Sequence, residues 1–474
     1  MQRTLTLDPA QPLIPIEIET NTDDRGVPWI FLVYARTNAK NPTPFPLHRL
    51  MRDWATIDME IAPVIDNRDV PELAGGNWLR GRQVFFSETA SCGKCHRTRG
   101  KGGVIGPDLS NLVHRDYASV MRDIREPSFA INPDYLTRIV ALEDGRVLTG
   151  SVRSEGETLI IGDQQGNETR VAQSEVSEFQ PSPLSIMPQD LPQKLEPDKL
   201  RDLLTFLLTE PPRMPDYGTG TPPPPRTKAE VDVVLAGSAK EASTRPLHAT
   251  LVAGKKDHGP GEHDYPAWLT VWQRLLSLAP ETHVTTANDW PTSEDLAKAD
   301  VLVFYQQGKW TRERAKDIDA FLARGGGLIN IHYAVDGGAD AAGFAERIGL
   351  AWNGQSKFRH GDLDLHFKLP AEHPIARNFD KLHLHDESYW NLVGDTSKIN
   401  LLATGREEDR EQPLFWTTEP GKGRVFVSIP GHYAWTFDDP LFRVVLLRAI
   451  AWTAREPVDR FNELVWPGAR IVEK

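Results

Sequence analysis

Cysteine is almost missing from this chain. Its 474 residues include two, and both lie in Ser91-Cys92-Gly93-Lys94-Cys95-His96. A disulfide framework is therefore excluded, and so is a thiol nucleophile anywhere else. Long apolar runs are missing too, which excludes a membrane-spanning helix. The opening residues Met1 to Pro9 lack the apolar core of a signal peptide. Basic excess is also lacking. The net charge is −12, whereas a nucleic-acid partner asks for clustered Lys and Arg. What remains is the profile of soluble globular domains with real cores, 39% hydrophobic and 25% charged. The length suits about two to four of them.

The chain divides by composition. Residues 1–75 stay unassigned: Ile16 to Thr20 alternates like a strand, Trp29 to Tyr34 reads as a buried one, and Asp24-Arg25-Gly26 as a turn between them. Residues 76–212 form a unit that opens on a short helical pattern (Trp78, Gly81, Phe85). It closes on a helix with Leu200, Leu203, Leu204 and Leu207 on one face and Pro197 in its first turn. Between them, at about 137–180, Thr137 to Leu142 and Val147 to Val152 flank Asp144-Gly145 as a hairpin. Thr158 to Ile161 and Thr169 to Val171 continue that β insertion. A Pro-rich stretch within 213–246, including Pro222 to Pro225, predicts a stiff linker between separately folded domains. Residues 247–457 alternate apolar strands (249–253, 301–305, 328–331, 424–429) with helical patterns at about 266–278, 311–324 and 440–454. That is a doubly wound α/β layer, followed by a tail at 458–474.

Cys-x-x-Cys-His has a mechanism attached to it. Two thiols at that spacing add to the two vinyl groups of a haem, and the adjoining His96 binds the iron. The competing readings are a redox pair, which wants a thioredoxin-like βαβ setting, and half of a zinc site recruiting His96 and His114. The first is not present around residue 92, and the second needs unusual spacing. One covalent haem c is the expectation. For the second axial position the methionines after the motif are Met121, Met187 and Met214. Met121 falls in a helical pattern over 117–125 and Met214 follows the closing helix, so Met187, in Ser185-Ile186-Met187-Pro188, is favoured.

With Gly81 to Phe86 before the motif and Gly106-Pro107-Asp108-Leu109 after it, the segment resembles a class I cytochrome c domain. The resemblance implies that the Pro107 carbonyl holds His96. Arg125-Glu126-Pro127-Ser128, Ile131 to Tyr135, Asp144-Gly145-Arg146 and Ser185 to Pro188 resemble the haem-binding domain of large planctomycete and verrucomicrobial proteins, over about 78–210. That family implies an α-helical cytochrome c-like fold with a small β insertion and an extracytoplasmic, periplasmic setting. It also implies an upstream module, of which residues 1–75 would be the remnant. The absent signal peptide then reads as a fragment or a mis-assigned start.

In the carboxy-terminal part, several pieces stand in order. They are Leu251 to Gly254 with His258 and His263, Asp300 to Tyr305, and Gly325 to His332. After these come His373-Pro374-Ile375, Asp386-Glu387-Ser388-Tyr389, Gly423 to Phe426, Gly431-His432 and Ala451-Trp452. Together they resemble the ThuA-like (trehalose-utilisation) domain, a relative of class I glutamine amidotransferases, which implies a flavodoxin-like α/β fold. With no cysteine in the domain, glutaminase chemistry is excluded. His332 stands at the carboxyl end of a predicted strand, where open α/β sheets bind ligands. Together with His258 and His432 it is taken as a catalytic candidate, and His263, Asp386 and Glu387 are weighed beside them. His360, His366, His383 and His385 are assigned to surface or structure. Among the tryptophans, Trp435 is the one expected to line the site. Two functional readings stay open. One is an electron-transfer protein with a redox partner, or an upstream dehydrogenase module, whose α/β domain binds a carbohydrate. The other is a carbohydrate-active enzyme, oxidising or hydrolysing a sugar, with the haem as accessory acceptor.

Overall fold

Blocks such as Val301–Tyr305, in which all five residues are apolar and buried, belong in the middle of a parallel sheet covered on both faces. The computed structural model describes residues 33–34, 43–44, 70–238, 245–308, 310–368 and 372–472. The expected strand at 16–20 and turn at 24–26 lie outside these, and of 29–34 only Val33–Tyr34 is described, paired antiparallel with Thr43–Pro44. The chain forms two compact units, residues 1–64 with 127–188, and residues 65–126 with 189–474. No described helix is long and apolar enough to cross a membrane.

In the first unit, Thr137–Leu142, Val147–Glu155, Thr158–Gly162, Glu168–Ala172 and Val176–Pro181 form a five-stranded antiparallel sheet. Its small core is Val140, Leu142, Ile161 and Val171. The hairpin turns at Asp144-Gly145, where Gly145 takes φ +88° and Asp144 Oδ1 accepts from the Arg146 N–H. The final strand, 176–181, was not anticipated: only Val176 within it is even half-buried, so it carries no apolar signal. Residues 70–212 are accordingly mixed α/β rather than a helical domain with a minor insertion, because the sheet has its own core and its own unit.

The second unit begins with helices Trp78–Phe85 and Tyr117–Arg125 and ends its first section with Pro197–Leu208. The first and last of these cross at Gly81, where an added Cβ would sit 1.9 Å from the Asp202 carbonyl oxygen. Trp78 and Phe85 pack edge-on or tilted against Phe206. Buried Asp202 accepts from the Asn77 N–H at 2.7 Å and from Arg80 Nε at 2.6 Å, so a single carboxylate caps one helix and ties it to the other.

The remainder is built on a nine-stranded sheet. Thr282–Asn288, Leu247–Ala253, Val301–Tyr305, Gly327–Ile331 and Arg424–Ser428 run parallel in that order. Arg410–Thr418, Asn400–Glu407, Lys357–Phe367 and Lys381–Trp390 extend it antiparallel. The flavodoxin-like α/β domain is thus present, with an antiparallel wing that the apolar-run criterion missed. Helices Tyr265–Leu276, Arg312–Ala323 and Pro440–Thr453 match the expected crossovers.

The expected stiff linker between separately folded domains is corrected. Thr227 caps a helix over Lys228–Leu235 with a full capping box to Glu230, and Val231 and Val234 of this helix join the main core. Met214 N–H and Tyr217 Oη donate to Asp438 Oδ2 at 2.9 and 2.7 Å, and Arg226 pairs with Asp439 at 2.9 Å. The tail is likewise docked: Ile471–Val472 pairs in parallel with Arg226–Thr227. Prolines gave the stretch its linker look, but buried carboxylates hold its backbone down.

Candidate functional site

Two constellations carry chemistry. The first is the turn Cys92–Cys95, which leaves both cysteines half-buried and outside any disulfide. His96 follows in extended backbone, and its Nδ1 lies 2.9 Å from the Pro107 carbonyl oxygen. A carbonyl only accepts, so Nδ1 carries the proton and Nε2 carries the lone pair. Gly106 lets the ring lie against the loop, since a Cβ there would sit 2.6 Å from His96 Cε1. Burial lowers the His96 pKa, with the Pro107 carbonyl opposing, so the imidazole is neutral. Burial pushes the Cys92 thiol up to about 12, which removes the thiolate a redox pair would use. A fixed neutral imidazole beside two thiols fits a thioether-linked haem. Met121 and Met214 are buried in apolar cores, while Met187 is half-buried in a loop, its N–H held by Ser185 Oγ at 3.1 Å.

The second constellation lies at the carboxyl ends of the parallel strands. His332 directly follows Gly327–Ile331 and has φ +57°. His432 follows Arg424–Ser428 by a short loop, and His263 (φ +42°) stands in the loop after Leu247–Ala253. Glu387 comes from the antiparallel wing. It and Asp386, for which a solvated loop and a site were both open readings, are buried within the strand Lys381–Trp390.

The donor atoms converge. His263 Nε2 is 2.9 Å from His332 Nε2 and 3.0 Å from His432 Nδ1. Glu387 Oε2 is 3.1 Å from His332 Nε2 and 2.9 Å from His432 Nδ1. The outer nitrogen of two of the rings is fixed: His332 Nδ1 donates to the Ile429 carbonyl at 2.7 Å, and His263 Nδ1 to Asp257 Oδ1 at 2.8 Å. Tyr389 Oη reaches His332 Nε2 at 2.9 Å. Burial alone would raise the Glu387 pKa, but its contacts with His332 and His432 hold it well below the carboxylate range. Burial lowers His263 to about 3 despite Asp257. Glu387 is thus held as a carboxylate among the rings, the form in which it can bind a metal ion.

Asp386 builds the loop. Its Oδ1 accepts from the N–H groups of Glu387, Gly431 and His432 at 2.7, 2.9 and 2.9 Å, and its Oδ2 accepts from Thr436 Oγ1. It acts through position, fixing His432 to the strand that carries Glu387.

Of the residues named from the sequence, His332, His432, His263 and Glu387 are brought together. His258 stands at the rim: its side chain is 42% exposed, its Nδ1 is 2.8 Å from Asp257 Oδ1, and its ring centroid lies 3.9 Å from that of His263. Trp435 is buried, stacks on Tyr433 and donates to the His385 carbonyl, so it supports the site rather than lining it. His383 and His385 are surface residues, paired with Asp364 and Asp362. His360, assigned to the surface, stands at the rim with Nε2 3.7 Å from Glu387 Oε1. Asp257 had no place in the sequence reading, and Tyr389 entered it only as a neighbour of Asp386 and Glu387. A period of two through Glu387 and Tyr389 would have put both on one strand face.

The profile of the ThuA family, described as trehalose utilisation, matches residues 251–453, so this segment is a ThuA-like domain. Solved structures similar to the chain include a putative ThuA-like protein from Parabacteroides merdae, 20% identical with TM-score 0.37, covering 44% of this chain and 90% of its own. Another, from Bacteroides uniformis, is 15% identical with TM-score 0.38, covering 47% and 98%. A β-galactosidase from Bacillus circulans sp. alkalophilus is 12% identical with TM-score 0.30, covering 45% and 32%. The search of curated proteins gave no match.

Proposed function

From a ThuA-like domain preceded by a Cys-x-x-Cys-His turn, we propose a c-type cytochrome that carries electrons through one covalent haem and is joined to a carbohydrate-binding domain. The observation that carries this is the 2.9 Å contact of His96 Nδ1 with the Pro107 carbonyl. It fixes the tautomer and aims the lone pair of Nε2 away from the loop, as partners behind a metal-binding histidine do. Cys92 and Cys95 would hold the porphyrin covalently, with His96 and Met187 as the axial pair. A haem with both axial positions filled supplies one-electron transfer rather than substrate chemistry. Thioether attachment places the protein in the periplasm or another extracytoplasmic space, where a redox protein or an upstream dehydrogenase module would be its partner. The ground for a carbohydrate ligand is the description of the ThuA family. The buried histidine–glutamate cluster favours a second reading, catalysis on that ligand.

The test is to mature the full chain in a periplasm with haem-attachment machinery. The product should be coloured, heavier than the polypeptide by one haem, and redox-active; Cys92→Ser with Cys95→Ser should be colourless. A colourless wild type with the mass of the bare chain defeats the proposal. Sugar binding and turnover by His332→Ala separate a binding domain from a catalytic one.

A further inference from the structure

We infer that His263, His332, His432 and Glu387 form a binding site for one divalent transition-metal ion of the zinc type, independent of the haem. Four ligand atoms from four separate segments lie within 4.8 Å of one another, all on buried residues. The protons decide what can sit among them. His332 spends its Nδ1 proton on the Ile429 carbonyl, and His263 spends its own on Asp257. With Nδ1 engaged from behind, each ring turns its Nε2 inward, and these two atoms stand 2.9 Å apart. The same Nε2 of His332 faces the Glu387 oxygen at 3.1 Å. Ligand atoms and a carboxylate gathered this closely out of water call for a compensating cation. A cation at the centre turns every one of these contacts into an attraction.

The remaining ring points the same way. His432 is 1% exposed, and its Nε2 is buried without a hydrogen-bond partner. Its Nδ1 is the atom turned to Glu387 and His263. The spacing also suits a metal. Ligand bonds of ~2.0–2.1 Å arranged tetrahedrally put donor atoms about 3.3 Å apart, so separations of 2.9 to 3.1 Å need to open by only a few tenths of an ångström.

The donor set selects the ion. Three imidazoles and one carboxylate suit zinc and its first-row neighbours; magnesium and calcium want oxygen ligands. Asp257 and the Ile429 carbonyl orient the rings from behind, the usual arrangement around a bound metal. The backbone adds an independent sign. His263 and His332 hold φ values of +42° and +57°, a left-handed conformation that costs a side-chain-bearing residue on the order of 1 kcal/mol. Their rings are aimed inward at that cost. Tyr389 Oη, at 2.9 Å from His332 Nε2, would turn to an oxygen of a ligand bound beside the ion.

The experiment uses the full chain, stripped with a chelator and dialysed, then titrated with Zn2+ against a chromogenic zinc indicator. Bound metal is counted by elemental analysis and folding is followed by circular dichroism. One zinc per chain is expected, with affinity reduced at least about 100-fold in His332→Ala and in Glu387→Gln. His383→Ala, which removes a surface histidine, should bind as the wild type does, and Mg2+ should not compete. Cys92→Ala with Cys95→Ala should lose the haem and keep the zinc, which separates this inference from the haem proposal. Folded wild type that takes up no zinc overturns the inference. So does zinc that survives in His332→Ala, or zinc that leaves with the two cysteines.

Discussion

Asp386→Ala should both destabilise the ThuA-like domain and weaken the metal site. The carboxylate is fully buried and accepts three backbone N–H groups and one hydroxyl. Alanine leaves these four donors in place without an acceptor. A buried donor that loses its partner costs about 1–3 kcal/mol, and a water entering the space left by the carboxylate accepts from two of them, leaving two unpaired. The net loss is therefore about 3–4 kcal/mol, or roughly 10 °C in melting temperature for a domain of this size. Asp386→Asn keeps Oδ1 and lets Thr436 turn its hydroxyl to accept, so it should cost about 1 kcal/mol. Thermal unfolding of the three proteins reads the order directly, and zinc titration of the Ala variant should show weaker binding because His432 is no longer fixed to the strand of Glu387. An Ala variant within about 1 kcal/mol of wild type, or an Asn variant as damaged as the Ala variant, refutes the hydrogen-bond accounting.

Gly81→Ala should part the helices Trp78–Phe85 and Pro197–Leu208, because its Cβ meets the Asp202 backbone. Overpacking against an atom that cannot rotate away should cost about 3 kcal/mol in urea unfolding, and a variant as stable as wild type removes this crossing from the account. Burial lowers His373 to about 4. The unfolded chain therefore binds the extra proton between about pH 6.5 and 4, and stability should fall as pH drops through that window, by about 2 kcal/mol after allowing for partial exposure. His373→Asn, which can still accept from the Ile375 N–H, should flatten that fall; parallel stability curves for the two proteins refute the assignment. Reduced holoprotein should bind carbon monoxide slowly and Met187→Ala rapidly, as seen in the optical spectrum. Equal, fast binding by both removes Met187 from the axial position.

What could be read from residues alone follows from how many signals each element carries. Val301–Tyr305 and Gly327–Ile331 sit in the middle of the sheet, so every residue is buried and the apolar run announces the strand. Lys357–Phe367 and Lys381–Trp390 lie on the wing, where much of one face is wet, and aspartates and histidines alternate with their apolar residues, so no continuous apolar run marks them. Site residues behave likewise. His332 was legible because it ends a buried strand. Glu387 was ambiguous because a carboxylate in sequence looks solvated, and only the returning wing buries it against two imidazoles. Asp257 left no local trace at all: its role is to orient a ring six residues on, across a turn that no periodicity encodes. The docking of residues 213–235 was hidden for the same reason, since its anchors, Asp438 and Asp439, are more than two hundred residues away in the chain.

The position after Ile331 joins these points. A strand that ends in a residue at positive φ throws that side chain forward over the sheet edge, and glycine or asparagine would occupy such a backbone with least strain. Histidine stands there instead, completely buried, with one nitrogen tied to the Ile429 carbonyl and the other aimed at His263 and Glu387. A strained conformation persists only where the surroundings over-determine it. Here three strand ends and the antiparallel wing all bear on one ring. The elbow after this strand therefore presents an imidazole over the sheet edge, where it meets His263 and Glu387, a setting whose natural partner is a cation.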